Sequence, residues 1–301
     1  MRISSLFVVL ALFGTAVKAA PPSAPVPVKK ACGGGIVLKM SAGTATQGSL
    51  LLVEVSGVKA GQEITAEWDG RPMPLWRETP TSTTLRSLLA VDLEKPAGNY
   101  EWKLSWTGAD GNPTACSQPV TVRTGKFPTE RLTVENQYVH PDPEQEKRAG
   151  EDQKKMKAIY DTVTPEVLWQ GKFVLPLKGE VTGKNFGRRR VLNGEARSPH
   201  SGVDFPAATG TPVYAAQAGK VALAENLYYS GNTVVIDHGF GIYTLYAHLS
   251  EIEVQAGDVV KASAEIGKVG ATGRVTGPHL HWGLTVDHAR VDARQILQRQ
   301  P

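Results

Sequence analysis

Four polar residues in two short motifs have the types and the spacing of a metal centre. One motif contains His200 and Asp204, four residues apart, and the other contains His279 and His281, two residues apart. Side chains at these spacings lie on one face of an extended strand, so each motif can direct both polar groups toward one point. Glycine and proline in and around both motifs disfavour helices. The two motifs together predict a zinc site built on β-strands.

A catalytic zinc ion prefers three protein ligands of imidazole and carboxylate type together with a water molecule. Three of the four motif residues are therefore expected to bind metal, which leaves one histidine for proton transfer. His248 is the natural fifth member of the site, although Tyr246 and His248 could simply share one face of a strand. His238 is expected to form structural hydrogen bonds at a turn, whereas His140 and His288 are expected to lie on the surface.

The segment that carries these motifs has the pattern of a compact antiparallel β domain. Apolar runs at residues 234–236, 242–246 and 266–269 are separated by glycine-rich turns. We find no glycine-rich phosphate loop and no Gly-x-Ser-x-Gly nucleophile elbow in this sequence. We therefore predict a metal-binding domain over residues 168–298.

Residues 31–124 are predicted to form a separate, immunoglobulin-like β-sandwich. Apolar and polar residues alternate, most clearly at Tyr100, Trp102, Leu104 and Trp106, and turn signals separate several short strands. The aromatic side chains could form a sugar-binding face, but strictly alternating aromatics in a small sandwich usually fill its interior. We therefore expect these rings to belong to a core.

Residues 125–167 are predicted to form a polar linker that contains one helix. The pair Asp142-Pro143 suits the N-cap and the first helical position. Met156, Ile159 and Tyr160 give this helix one apolar stripe. We expect the stripe to dock on a domain of the same chain rather than to recruit a partner.

Residues 1–19 are expected to be a signal peptide. Arg2 precedes an apolar run at residues 6–13, and small residues follow near Ala19. The run is too short to span a bilayer, and no later stretch approaches about 20 apolar residues. We expect export to the periplasm or the extracellular space without a transmembrane span, and an uncleaved N-terminal anchor is the alternative.

Cys32 and Cys116 are the only cysteines of the chain. An even number of cysteines in an exported protein favours a disulfide between them, and two free buried thiols are the alternative. Neither residue lies near the histidine motifs in sequence, so we assign them no catalytic role.

The charge of the chain argues against a nucleic-acid partner. The formal net charge is +4 at pH 7, and the sequence has no long stripe of lysine and arginine. Binding that depends on phosphates requires many such neutralising contacts. A mild attraction to anionic polymers of the cell envelope is all that this charge supports.

The motifs His-x-x-x-Asp, Tyr-Ala-His-Leu-Ser and Gly-Pro-His-Leu-His-Trp follow one another in this order within residues 170–295. In this respect the chain resembles the lysostaphin/LytM family of zinc metallopeptidases, which cut peptidoglycan peptides. The resemblance implies a lysostaphin-like domain, a barrel-sandwich hybrid, that binds one zinc ion per chain. It implies that the zinc ligands are His200, Asp204 and His281, and that the catalytic residues beside them are His248 and His279. The expected activity is that of a zinc metalloendopeptidase acting on cross-links or stem peptides of peptidoglycan.

Three further hypotheses concern the role of the whole chain. In some relatives an accessory region covers the groove, so the N-terminal region could keep this enzyme latent until a regulatory partner displaces it. A non-catalytic activator of murein amidases is an alternative, but such proteins lack several ligand positions that this chain retains. A purely carbohydrate-binding module of the envelope would leave the histidines unexplained.

Overall fold

The computed structural model describes residues 26–179, 183–299 and 301. The expected signal peptide at residues 1–19 lies outside them. The described part is mainly β, as predicted. No helix within it is long and apolar enough to cross a membrane.

Two five-stranded sheets form the N-terminal region. Their strands are, in chain order, β1 (Val28–Gly33), β2 (Ile36–Met40), β3 (Thr44–Thr46), β4 (Leu50–Ser56), β5 (Ile64–Trp68), β6 (Arg71–Met73), β7 (Trp76–Arg77), β8 (Thr84–Ala90), β9 (Gly98–Thr107) and β10 (Pro113–Arg123). The first sheet has the order β1-β2-β4-β8-β7, and the second has the order β3-β10-β9-β5-β6. Most neighbouring strands run antiparallel, but β3 and β10 are parallel.

The alternation in β9 explains why the two sheets pack face to face. Trp102 and Leu104 are fully buried and Trp106 is nearly so, whereas the intervening Lys103 and Ser105 are exposed. The buried side chains belong to one hydrophobic cluster with residues of the first sheet, such as those of β2 and β4. Since every second residue of a strand faces the same side, this pattern produces a sandwich. The aromatic rings are core residues, as predicted, and do not form a sugar-binding face.

The predicted disulfide between Cys32 and Cys116 is present. It joins β1 of the first sheet to β10 of the second. A crosslink between positions 84 residues apart restricts the unfolded chain and so stabilises the sandwich, by about 4 kcal/mol in the loop-entropy account.

The linker contributes β11 (Thr129–Leu132), a 3-10 helix (Asn136–Tyr138) and α1 (Pro143–Tyr160). Asp142 caps α1 as predicted, because its side chain accepts a hydrogen bond from the backbone of Gln145, whose own side chain caps in return. The apolar stripe of α1 packs on the C-terminal domain, where its partners include Leu227 and Tyr243. The helix thus docks within its own chain, as expected.

The remaining elements build the C-terminal region. They are, in chain order, β12 (Arg189–Leu192), β13 (Glu195–Arg197), β14 (Gly202–Pro206), β15 (Pro212–Tyr214), β16 (Gly219–Leu227), β17 (Gly231–Asp237), β18 (Ile242–Ile252), β19 (Val259–Val260), β20 (Glu265–Val269), β21 (His279–Val286), β22 (Ala289–Val291) and a 3-10 helix (Ala293–Leu297). A nine-stranded antiparallel sheet has the main order β14-β21-β18-β17-β16-β19. The hairpin of β12 and β13 forms a separate sheet with β11 of the linker.

One hydrophobic core runs from the sandwich into the C-terminal region. Side chains on the outer face of the first sheet, such as Leu50 and Leu88, are buried in the same cluster as Trp169 and Phe205. Trp76 packs edge-on against Trp169, with ring centroids 5.3 Å apart. The strands that carry the metal motifs are therefore supported by packing that extends across both regions.

Candidate metal centre

Strands β14 and β21 bring the two metal motifs together. They are antiparallel neighbours, and their register places Asp204 directly opposite His281 and Pro206 opposite His279. His279 and His281 lie two residues apart on one strand, as predicted, and their side chains share a face. Gly202 is required at its position, because a Cβ atom there would lie 2.6 Å from the His281 ring. The glycine in the first motif thus makes room for a histidine of the second.

The prediction that His200 and Asp204 share one strand is wrong, since β14 begins only at Gly202. The backbone of His200 instead pairs with the chain just before β12: its N–H donates to the carbonyl of Arg188, and its carbonyl accepts from Gly187. His200 is nevertheless buried and reaches the same point as Asp204. The spacing was informative, but the chain turns between the two residues.

Three atoms from His200, Asp204 and His281 form a small triangle. His281 Nδ1 lies 2.8 Å from Asp204 Oδ1 and 2.9 Å from His200 Nε2, and His200 Nε2 lies 3.0 Å from Asp204 Oδ1. Ligand atoms at ordinary zinc distances in a tetrahedral site lie roughly 3.3 Å apart. The triangle is slightly tighter than that, and its chemistry of two imidazoles and one carboxylate fits zinc.

Backbone carbonyls fix the tautomers of three histidines around the site. The Nδ1 atoms of His200, His248 and His279 lie 3.0, 2.9 and 2.8 Å from the carbonyl oxygens of Asn185, Thr272 and Gly277. Because a carbonyl oxygen can only accept, each Nδ1 carries a hydrogen and donates it. In its neutral form, each of these rings therefore keeps a lone pair on Nε2, as a metal ligand or a proton acceptor needs.

Asn185 holds two of the three predicted ligands at once, and the sequence motifs give no sign of it. Its side-chain amide donates to Asp204 Oδ2 at 2.9 Å, and its side-chain oxygen accepts from the Asp204 backbone N–H. Its carbonyl is the acceptor that orients His200. Arg190 adds a positive charge 3.6 Å from Asp204 Oδ2. These contacts leave Oδ1 of Asp204 for the triangle.

His248 reaches the site through an irregularity in β18. The register between β17 and β18 shifts between Asn232 and Val234, so β18 contains an extra residue at this point. His248 itself adopts a left-handed backbone conformation with φ of 64°. Such a conformation is uncommon for a residue other than glycine. The His248 ring centroid lies 4.9 Å from that of His279 and 5.8 Å from that of His281, so it does more than share a strand face with Tyr246.

Burial keeps His248 and His281 neutral at pH 7. Burial, followed by the charges of His281 and His279, lowers the pKa of His248 to about 3. Burial also lowers the pKa of His281 to about 4, although hydrogen bonding to Asp204 opposes this effect. For Asp204, burial raises the pKa, but the neighbouring His200 and His281 outweigh burial and hold the pKa well below its usual value. Neutral imidazoles beside an ionised carboxylate are the protonation states that bind a divalent cation.

The other histidines lie where the sequence predicted. His238 is fully buried at a turn and contacts the carbonyl of Ala218 and the hydroxyl of Thr244. His140 and His288 are on the surface, each beside a carboxylate. None of the three joins the cluster.

A cleft of about 270 Å³ opens over Asp204, His248 and His279. One wall is the loop that precedes β21, and another wall comes from the linker, which contributes Glu130 and Leu132 of β11. β11 is held there by parallel pairing with β12 and by an ion pair between Glu130 and Arg188 at 2.6 Å. The linker is thus part of the wall of the candidate site.

Comparison with known proteins agrees with this geometry. Residues 198–293 match peptidase family M23. The peptidoglycan DD-endopeptidase ShyA of Vibrio cholerae is 47% identical over 110 residues, which are 36% of this chain and 26% of that protein. The DD-carboxypeptidase/endopeptidase Mpg of Neisseria meningitidis is 46% identical over 102 residues, which are 34% of this chain and 24% of that protein. The chain therefore spans only about a quarter of the length of these relatives.

A solved structure matches over a larger part of the chain. It is a protein from Pseudomonas aeruginosa described as belonging to peptidase family M23, with 28% identity and a TM-score of 0.63. The match covers 84% of this chain and 94% of that one, so it includes much of the N-terminal region as well. Together with the match at residues 198–293, this shows that the chain contains a peptidase M23 domain.

Proposed function

We propose that this protein is an exported zinc metalloendopeptidase that hydrolyses peptide cross-links or stem peptides of peptidoglycan. The observation that carries the proposal is the triangle of His200, Asp204 and His281 with two tautomer-fixed histidines beside it. Relatives that are peptidoglycan DD-endopeptidases support peptidoglycan as the substrate class. Their names favour a scissile bond between two D-amino acids. The disulfide in the sandwich is consistent with an oxidising compartment such as the periplasm.

In this proposal His200, Asp204 and His281 hold one zinc ion. A zinc ion in such a site supplies Lewis acidity, which makes water more acidic and polarises an amide carbonyl. The Thr272 carbonyl holds the hydrogen of His248 on Nδ1, which leaves the lone pair of Nε2 to accept a proton from the attacking water. The His279 ring centroid lies 4.9 Å from that of His248. As a cation with a hydrogen on both ring nitrogens, His279 can stabilise the tetrahedral intermediate and protonate the leaving amine.

The proposal is tested by zinc analysis together with digestion of purified, cross-linked peptidoglycan. The full chain should contain about one zinc ion and convert dimeric muropeptides to monomers, and the masses of the products would identify the cleaved bond. Bound zinc without cleavage of peptidoglycan, by either the wild type or a variant in which the linker strand β11 is released, would refute the proposed substrate. Absence of zinc, combined with stimulation of an added amidase, would favour the non-catalytic activator instead.

We further propose that the linker restrains activity until a regulatory partner displaces it. The support is the position of β11, whose side chains Glu130 and Leu132 line the same cleft as His248 and His279. Beyond its pairing with β12, β11 is held by the ion pair of Glu130 with Arg188. A short strand with few contacts is an element that a partner can release at low cost.

Charge reversal at Glu130 tests the restraint. Glu130→Lys places two positive charges together at Arg188, so β11 should detach and peptidoglycan hydrolysis should become faster. Glu135→Lys makes the same change in charge at an exposed linker position and should leave the rate unchanged. Equal rates for the wild type and both variants would argue against latency while leaving the peptidase assignment intact.

A further inference from the structure

Arg274 lies beside the candidate metal centre in the loop between β20 and β21. It lines the cleft that contains Asp204, His248 and His279. It also lines a larger groove of about 1400 Å³, to which His281 contributes as well. Arg274 therefore borders both spaces beside the metal centre.

The position of the Arg274 side chain is fixed by Tyr229. The guanidinium carbon lies 4.6 Å from the centroid of the Tyr229 ring, and the Arg274 backbone N–H donates to the Tyr229 carbonyl at 2.8 Å. Thr272, two residues before Arg274, is fixed as well. Its hydroxyl accepts a hydrogen bond from the Asn232 N–H and donates one to the Leu249 carbonyl. A guanidinium stacked on an aromatic ring in this way is oriented before any ligand arrives.

Arg274 differs from the two neighbouring arginines in having no acidic partner. Arg190 lies 3.6 Å from Asp204, and Arg197 lies 2.8 Å from Glu195. Across the described residues, no carboxylate oxygen comes within ion-pair distance of Arg274. Burial, followed by the charge of Arg190, lowers the pKa of Arg274. A half-buried guanidinium surrounded by other positive charges provides a site for an anion.

We propose that Arg274 binds a free carboxylate of the peptide substrate next to the scissile amide, and that it thereby selects anionic stem peptides over neutral peptides. The proposal rests on the proposed function, since it assumes that the cleft binds a peptide. A planar guanidinium can donate two parallel hydrogen bonds to a carboxylate, which makes it specific for this group. The carboxylate belongs either to the residue that supplies the scissile nitrogen or to a residue on the acyl side.

The test combines changes in the enzyme with changes in the substrate. Three synthetic cross-linked stem-peptide dimers are compared: one with all carboxylates free, one amidated on the residue that supplies the scissile nitrogen, and one amidated on the acyl side. For the full-length wild type, one of the two amidations should lower kcat/KM by about 10- to 100-fold, as expected for losing a charge-assisted pair. Which amidation does so identifies the carboxylate.

Two variants of Arg274 and one control complete the design. Arg274→Met should lower kcat/KM for the free dimer by a similar factor and should be insensitive to amidation. Arg274→Lys retains the charge without the planar fork, so it should keep only part of the selectivity. Arg189→Met removes one positive charge from an exposed position in the neighbouring strand β12, and this variant should retain the selectivity of the wild type.

The outcomes separate this proposal from the proposed function. A wild type that cleaves all three dimers equally overturns the role of Arg274 but not the peptidase assignment. The same holds if the kcat/KM of Arg274→Met falls below the wild-type value by the same factor on each dimer, including the one that lacks the recognised carboxylate. Calorimetry measures the affinity of each dimer for zinc-loaded His248→Ala protein, which should bind the substrate without cleaving it. If binding depends on the carboxylate and on Arg274 while the wild type cleaves nothing, the role of Arg274 stands and the peptidase assignment fails. If the wild type cleaves none of the dimers and the His248→Ala protein binds none of them, both proposals fail.

Discussion

We assign different roles to the three candidate ligands and to the two flanking imidazoles, and single substitutions should distinguish these roles. His281→Ala removes one ligand atom, so tight zinc binding should be lost together with activity. His248→Ala should retain zinc and lose about 10²- to 10⁴-fold in turnover, the usual contribution of a general acid or base. Zinc content by mass spectrometry and muropeptide release give the two readouts. The exposed His288→Ala serves as the control, and full activity of His248→Ala would contradict the assignment.

Asn185 should matter for zinc although it is not a predicted ligand. Asn185→Ala removes the amide that donates to Asp204 Oδ2 and the oxygen that accepts from the Asp204 backbone. The carboxylate would then be free to rotate, and zinc affinity should fall by about 10- to 100-fold, as is typical for partners that orient ligands. Competition with a chromophoric chelator measures this affinity. An unchanged affinity would mean that β14 alone positions Asp204.

The sequence predicted the five residues that the structure brings together because each lies in a short motif with fixed spacing. Asn185 could not, since it precedes His200 by 15 positions and contacts the site through its carbonyl and amide. These groups are found only once the chain has folded. Arg274 lies within residues 170–295, the segment that carries the family resemblance. Its lack of an acidic partner, however, depends on which residues the fold places around it. Residue type and spacing therefore predict candidate ligands, but they do not predict the residues that orient them.

At the scale of elements, strand pattern predicted the sheets but not their irregularities. The apolar runs at residues 234–236 and 242–246 fall within β17 and β18, as expected. The shift in register that allows His248 to approach His279 leaves no mark in the alternation of residues. The same holds for the turn before β14 that carries His200. Tertiary contacts decide where a strand bulges or begins, and functional residues are concentrated at such points.

The loop before β21 gives a prediction at this scale. Gly273 has φ of 75°, and a Cβ atom there would lie 2.4 Å from the backbone nitrogen of Gly231. Gly273→Ala should therefore displace the loop that carries both Arg274 and the Thr272 carbonyl that orients His248. We expect it to destabilise the fold by about 1–3 kcal/mol beyond the cost of the left-handed conformation itself, and to reduce activity.

Gly257→Ala is the matched control for this prediction. Gly257 also has a positive φ, of 97°, but no atom lies within 4 Å of its added Cβ. It should show only the conformational cost, about 1–2 kcal/mol, and full activity. Thermal unfolding and muropeptide release compare the two variants. Equal losses of stability in both, with activity retained, would show that the contact with Gly231 does not constrain the loop.

At the scale of the whole molecule, the sandwich and the C-terminal region share one core. Trp76 and Leu88 of the first sheet are buried together with Trp169 of the following segment. A chain shortened to begin near Leu168 would expose these contacts, so its activity would report on folding as well as on latency. This is why a charge reversal within the intact chain is the better test of the linker. The alternation of apolar and polar residues within either region does not show that the two regions share one core.

Asp92 and Arg290 form the main ion pair between the two regions. The Asp92 carboxylate accepts hydrogen bonds from the backbone N–H of Arg290 and from its guanidinium at 2.8–3.0 Å. Asp92→Asn should lower the free energy of unfolding at pH 7 by about 1–3 kcal/mol, the usual effect of a hydrogen bond to a charged group. Glu63→Gln, at an exposed position of the sandwich, should change it by less than about 0.5 kcal/mol.

The effect of Asp92 should depend on pH in a defined direction. Burial raises the pKa of Asp92, but the hydrogen bonds from Arg290 outweigh burial and hold the pKa below its usual value. A carboxyl whose pKa is lower in the folded state stabilises the protein above its unfolded pKa, roughly 4. This contribution is lost as the pH falls through the folded pKa. Urea unfolding should therefore show the gap between wild type and Asp92→Asn narrowing below about pH 4. A gap that stays constant down to about pH 2 would mean that the interface is held by packing and backbone hydrogen bonds rather than by the charge of Asp92.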